Sequence, residues 1–362
     1  MSCLLLFCRL LTALVLAVPA CGQSQAPATA SRQPVSSAMS DYQTDKFRLS
    51  ASPCAAKGYP MTIQFGAFVR SDGKTFKVPS GHTLEGSWGN SSIGWAVGDE
   101  FQPAPEKLEI LYFSYLEDTF YEGTFALPQQ RLHELLQAGF WDLEKKQHTT
   151  YTSFTVCVLP KGAVVVWLVG AGRQVLVGRY QAAASTVDFR RFYPKSDRVN
   201  MLKNKIAAAP SAVQAQLKAG TLSPRQWDEY LKTYSWHVAL PQFVTLYNYR
   251  VNFLSAEYTS SPDTQDMAPY LRAALTPQAR PLPAKFSLYV TDEAGHKYSL
   301  KTDFDEAETQ AVFQQLHQAH PAGPITLHIE TDKYVKAATL VLESGGQRIP
   351  LTKSPVRIIA LK

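Results

Sequence analysis

The 362-residue chain has no internal apolar run near the roughly 20 residues that a spanning helix needs, which excludes a polytopic membrane protein. Cysteine is scarce: there are five, with no C-x-x-C pair, so zinc ribbons and disulfide-dense miniproteins are excluded. Charge is also sparse, at 18%, and the formal net charge of +6 is too mild for this length to point to nucleic acid. No Gly-x-Ser-x-Gly elbow, phosphate-binding loop or dinucleotide fingerprint occurs. His133-Glu134-Leu135-Leu136-Gln137 approaches a zinc-protease helix, but Gln137 stands where the second histidine ligand belongs. His317 and His320 lie at a helix end with no third ligand near in sequence, so no metal or other cofactor is expected. What is present is 45% hydrophobic and 11% aromatic residue, enough to bury one large core or two modest ones.

The N-terminus reads as an export signal. Arg9 precedes an apolar stretch from Leu10 to Val18, and Pro19-Ala20 then leads to Cys21. Val18-Pro19-Ala20-Cys21 resembles a bacterial lipobox, in which Cys21 becomes the lipidated first residue; the bland alternative is an ordinary cleaved signal with a chance cysteine. Gly22 to Ser40 is nearly all Gln, Ser, Ala, Thr and Pro without an aromatic residue, the composition of a tether that cannot bury enough surface to fold. The expected organisation is therefore a signal peptide at 1–20, a lipidated disordered tether at 21–42 and a folded body beyond it. Gly22, where Asp would signal inner-membrane retention, favours an outer-membrane address facing the periplasm. Once the signal is removed, Cys54 and Cys157 are the only thiols besides Cys21. They can pair in an oxidising compartment, or Cys157 can be a plain core residue of a buried strand.

Within the body, Met61–Val69, Leu108–Phe113 and Thr119–Phe125 alternate as strands, and Leu132, Leu135 and Leu136 recur at helical spacing before Gly139. Strands return at 152–158, 163–169 and 174–180, with hairpin turns at Pro160-Lys161-Gly162 and Gly170-Ala171-Gly172. Asp188 to Tyr234 reads as helical and carries Arg190, Arg191, Lys195, Arg198, Lys203 and Lys205 against Asp188 and Asp197, either a basic patch or a solvated helix face. Beyond a proline-rich boundary the order strand, strand, helix, three strands recurs, from Phe286 to Leu351. The fold class expected is α+β, with two related antiparallel-sheet units: an N-terminal domain at 43–183 and a C-terminal one at 281–362. A helical insert and linker at 184–280 joins them.

The residues between 59 and 183 carry a resemblance. Tyr59-Pro60, Leu108 to Ser114, Glu117-x-x-Phe120-Tyr121 and Phe125-Ala126-Leu127-Pro128 are similar to a bacterial lipoprotein family known as domain of unknown function 2931. So are Leu159-Pro160-Lys161-Gly162-x-Val164-Val165-Val166-Trp167-Leu168-x-Gly170-x-Gly172 and Tyr180-Gln181-Ala182. Longer members, as in Bacteroidetes, also carry a Tyr-x-Trp, here Tyr234-Ser235-Trp236. Lys161, where a second Gly is usual, and Cys157 depart from the pattern. The resemblance implies an envelope lipoprotein and brings no catalytic residues with it.

Two sets of side chains remain candidates. Glu117, Asp118 and Glu122 form a carboxylate group near one strand-to-strand turn, suited to acid/base chemistry or a cation if they converge, and otherwise solvated or hydrogen-bonded to the turn at a hairpin tip. Trp88, Trp95, Phe120 and Tyr121 belong to an aromatic-rich span whose outward-facing half would offer a contact surface. The function expected is a non-catalytic module that binds a protein partner at the membrane surface, held there by its N-terminal lipid, with no nucleic-acid partner. The rivals are an immunity lipoprotein against a secreted toxin and a periplasmic hydrolase using carboxylates near Glu117.

Overall fold

The computed structural model describes residues 41–91, 93–94, 99–142, 144–261 and 267–361. The expected signal peptide, Cys21 with its expected lipidation, and Trp95 lie outside them. The described chain opens with a single helical turn at Asp41–Thr44, so the last positions assigned to the tether are helical. Asp45 then holds the chain to the body, its carboxylate meeting His133 Nε2 at 2.8 Å and accepting from Gln137 at 2.6 Å.

The fold is α+β. In the N-terminal half the main elements are β1 (Ser50–Ala55), β2 (Met61–Val69), β3 (Lys107–Ser114), β4 (Thr119–Ala126), α1 (Gln129–Ala138), β5 (Ser153–Val158), β6 (Ala163–Gly170), β7 (Arg173–Gln181) and β8 (Ala183–Ser185). Helices α2 (Arg198–Ala208), α3 (Ser211–Lys218) and α4 (Arg225–Tyr230) follow. The C-terminal half holds β9 (Thr233–Ala239), β10 (Val244–Phe253), β11 (Tyr258–Ser260), α5 (Ala268–Leu275), β12 (Gln278–Pro281), β13 (Pro283–Asp292), β14 (Lys297–Asp303), α6 (Glu306–Ala319), β15 (Ile325–Thr331), β16 (Ala338–Ser344), β17 (Gln347–Pro350) and β18 (Arg357–Leu361).

The strands form three large sheets. One runs β8-β4-β3-β2 with short edge strands. A nine-stranded sheet runs β1-β5-β6-β7-β11-β10-β13-β14-β18 through both halves, and a third runs β12-β9-β15-β16-β17. The helical reading of 184–280 needs correction. The first helical run ends at Tyr230, 233–260 is mostly strand because Tyr234, Trp236 and Val238 alternate inward at period two, and only α5 returns to helix before 280.

Some pairings in the two halves are alike, although β9 also pairs with β12 and β1 has no such neighbour among the described residues. β1 runs parallel to β5, which opens the meander β5-β6-β7, while β2, β3, β4 and β8 pair antiparallel. In the C-terminal half β9 runs parallel to β15, which opens β15-β16-β17, while β10, β13, β14 and β18 pair antiparallel. An irregularity interrupts β2 against β3 between Ile63 and Phe65, and another interrupts β10 against β13 between Leu246 and Asn248.

Each half has its own core. Phe68, Phe76, Phe154 and Trp167 lie in the first, and Trp236, Phe286, Phe313 and Leu327 in the second. The seam between them is the β10–β11 turn. Leu254 and Ser255 carbonyls accept from the indoles of Trp88 (2.7 Å) and Trp167 (2.9 Å), and Glu257 accepts from the Leu176 amide at 2.9 Å. Cys54 and Cys157 are directly opposite in the parallel pair β1/β5, both buried and both free thiols.

Candidate functional site

The three carboxylates expected to work together part company. Glu117 follows β3, and its side chain turns inward until only 5% is exposed. There it accepts from Ser114 Oγ (2.9 Å), Tyr121 OH (3.0 Å) and the Lys161 backbone amide (3.1 Å to Oε2), with Lys161 Nζ at 3.4 Å. Burial, with the neighbouring carboxylate, pushes the Tyr121 phenol well above its ordinary range, so it stays protonated as a donor. The β5–β6 turn is shaped to meet this carboxylate: Lys161 has φ +59° and Gly162 φ +80°. A Cβ at Gly162 would come within 2.3 Å of the Ala182 carbonyl, so glycine is required there. Glu117 is therefore a clasp between the β3–β4 and β5–β6 turns, with its acceptor capacity taken up by its own chain.

Asp118 points elsewhere, at φ +49°, and pairs with Arg198 at 2.7 Å. Glu122 is exposed on the outer face of β4. The expectation of one convergent carboxylate site is thus corrected: the β-pleat sends Glu122 to one face while the turn folds Glu117 beneath the other.

The aromatic surface needs a similar correction. Phe120 and Tyr121 are 3% and 7% exposed and offer no free face. Phe113, Tyr115 and Phe120 do point outward from the sheet, but Phe189, Phe192, Tyr193, Met201 and Leu202 cover them. Tyr193 is fixed by the Gln64 amide, which donates to its hydroxyl at 2.5 Å. Trp88 is half-buried in the seam, edge-on to Trp167 with ring centroids 4.8 Å apart. The cationic segment is partly spent on this packing: Arg198 lies over Phe189 at 4.9 Å, and Lys205 pairs with Glu85 at 2.7 Å.

The cover stops short of the whole face. Beside it lies an open groove of about 670 Å³. Phe65, Leu111 and Glu122 cross its floor as directly opposed residues of β2, β3 and β4. Glu109 and Thr124 form the neighbouring pair, and Arg191, over the Phe192 ring at 5.5 Å, closes the rim. Phe65 is 44% exposed. Glu122 and Arg191 were singled out in the sequence, whereas Gln64, Phe65 and Glu109 were not. Their signal was strand alternation, which cannot say which part of a face the chain leaves uncovered. Among the described residues no group of three or more His, Cys, Asp or Glu side chains is arranged to hold a metal, and no helix is long and apolar enough to cross a membrane.

Neither a curated protein nor a solved structure matches the chain. A family model does, and its span takes in the Glu117 clasp, the aromatic cover and the whole groove. Residues 27–223, just over half of the chain, match the family described as Protein of unknown function (DUF2931), and the chain belongs to that family.

Proposed function

We propose that the protein is an exported, lipid-anchored envelope protein whose folded body is a non-catalytic binding module, with the groove on the β2-β3-β4 face as its partner site. The observation that carries this reading is the exposed Phe65, set beside Leu111 between the carboxylates of Glu109 and Glu122 and the Arg191 guanidinium. Apolar side chains flanked by charged ones, as Phe65 and Leu111 are by Glu109, Glu122 and Arg191, are the make-up of a protein-binding patch. Its acidic side fits a partner segment that presents an apolar side chain next to a cation. The hydrolase reading is weakened because Glu117 is consumed by four protein groups.

The address rests on Cys21 and the tether composition, with outer-membrane placement as the preferred destination. The pairings common to both halves and the paired irregularities at 63/65 and 246/248 support two divergent copies of one α+β unit.

The test is an affinity pull-down of the tagged full-length protein from detergent-solubilised envelopes of its own organism, with mass spectrometry of what co-purifies. One stoichiometric partner retained by the native protein and lost from Phe65→Asp and Glu122→Lys is the expected result. A partner that both variants keep, or an empty lane, would overturn the groove assignment. A secreted toxin as the partner would convert the module into an immunity protein. The anchor is tested separately: Cys21→Ser should release the protein from membranes.

A further inference from the structure

The antiparallel face β10-β13-β14-β18 is built like β2-β3-β4-β8, yet its outer surface has the opposite chemistry. In the N-terminal half, positions opposed across β2, β3 and β4 present Phe65, Leu111 and Glu122, then Thr62, Phe113 and Phe120. Much of that face is covered by the chain's own 187–202 segment. In the C-terminal half, one row across four strands reads Arg250, Ser287, Lys301 and Arg357. The flanking rows add Lys285 opposite Asp303, and Lys297 opposite Thr291. Among the described residues, five cations therefore share this face with one carboxylate. Asp303 is engaged by Lys285 at 2.6 Å and Arg357 at 3.2 Å, while Arg250, Lys297 and Lys301 have no carboxylate in ion-pair range among the described residues. Tyr247 and Tyr289 sit between the cationic rows with ring centroids 6.3 Å apart, and Ile359 beside them is 44% exposed.

We infer that this face seats on a bilayer surface bearing anionic headgroups. Charge complementarity argues for the occupant. Basic side chains near an anionic leaflet each add attraction, and that attraction fades within a Debye length, about 8 Å at physiological salt. Tyrosine and a single exposed aliphatic residue between the cations suit the headgroup level, where amphipathic rings settle. Alternation puts the cations of four neighbouring strands on one side of the sheet, so they meet a surface together. The inference goes beyond the groove and stands whether or not Cys21 is acylated.

Its test uses the full-length Cys21→Ser chain, which carries no lipid, in co-sedimentation with vesicles. Phosphatidylcholine vesicles alone should leave it in solution, and vesicles that also contain phosphatidylglycerol should pull it down. Lys301→Glu with Arg357→Glu should weaken that partition by more than about tenfold, as should raised salt. Both side chains lie on a solvent face, and thermal melts of the double variant should match the parent. Arg190→Glu with Lys195→Glu should leave the partition unchanged. Equal binding to neutral and anionic vesicles, binding that survives the Lys301/Arg357 reversal, or no binding at all would each overturn the inference. So would retention on an acidic polypeptide or a nucleic acid without retention on anionic vesicles.

Discussion

Removal of the Glu117 carboxylate is the sharpest perturbation the fold offers. Glu117→Ala leaves Ser114 Oγ and Tyr121 OH, both on nearly buried residues, without their acceptor. Each stranded buried donor costs about 1–3 kcal/mol. The Lys161 amide loses its partner too, but it sits at the surface and water replaces the carboxylate. The Lys161 ammonium is more than half exposed, so its ion pair adds less than about 1 kcal/mol after screening. The total expected is about 3–5 kcal/mol for Glu117→Ala, in the range for breaking a buried charged network. Glu117→Gln keeps the volume and one good acceptor, and should lose about half as much. Urea unfolding followed by tryptophan fluorescence measures both, with an unchanged slope as the sign that only stability moved. Hydrogen exchange at Lys161 and Gly162 should quicken at the same time. A loss under about 1 kcal/mol for Glu117→Ala, with protection of that turn intact, would refute the clasp and return Glu117 to the candidates for chemistry.

Other consequences are as direct. His237 is half-buried with Nδ1 unpartnered, and burial followed by the nearby Arg280 and His328 holds its pKa below the ordinary histidine value. The unfolded chain therefore binds the extra proton first, and stability should fall as pH drops below about 6.5. Denaturant midpoints at pH 7.5 and 5.5 should differ less in His237→Gln than in the parent. Gly89 has φ +69°, and a Cβ there would lie 2.2 Å from that of Ala256 across the seam. Gly89→Ala should cost about 2–4 kcal/mol from backbone strain and overpacking, read by thermal or urea melts; a neutral result would mean that the seam closes differently. Burial, with Cys157 alongside, raises the Cys54 thiol well above its usual range. Native protein kept reduced should resist iodoacetamide at Cys54 and Cys157, and both should label after unfolding, as read by mass spectrometry.

Legibility followed the scale of the interactions. Lys107–Ser114 declares itself largely by alternation, whereas Ser153–Val158 and Ala163–Gly170 declare themselves as continuous apolar runs buried on both faces. Thr233–Ala239 alternates just as well, but the helical stretch before it and Tyr234-Ser235-Trp236 at its start drew the helix boundary too far. The candidate site was half visible. Glu122 and Arg191 could be named, yet their meeting depends on where 187–202 lands, a long-range fact with no local signature. Phe120 is hidden for the same reason: alternation says that it faces outward, and only tertiary packing says that the chain itself meets it, whereas Tyr121 on the other pleat belongs to the core. In sequence Glu117 reads as catalytic or as a turn residue, solvated or hydrogen-bonded to its own turn; Ser114 is such a local partner, and the distant Lys161 turn that completes its burial has no nearby signature.

The two parallel pairings set the order in which this chain can fold. As it emerges from the N-terminus, β1 waits about 100 residues for β5, and β9 waits about 90 for β15. Until then each leading strand carries an open edge and an exposed apolar side, the state in which chains stick to one another. Local hairpins such as β3/β4 and β13/β14 can close early, but the parallel joints come late and slowly because a long loop must be ordered first. The C-terminal half can fold completely only when β18 pairs with β14. A chain threaded out in extended form would thus hold unpaired leading strands until β5 and β15 follow, and a product truncated before β15 would keep β9 without its parallel partner.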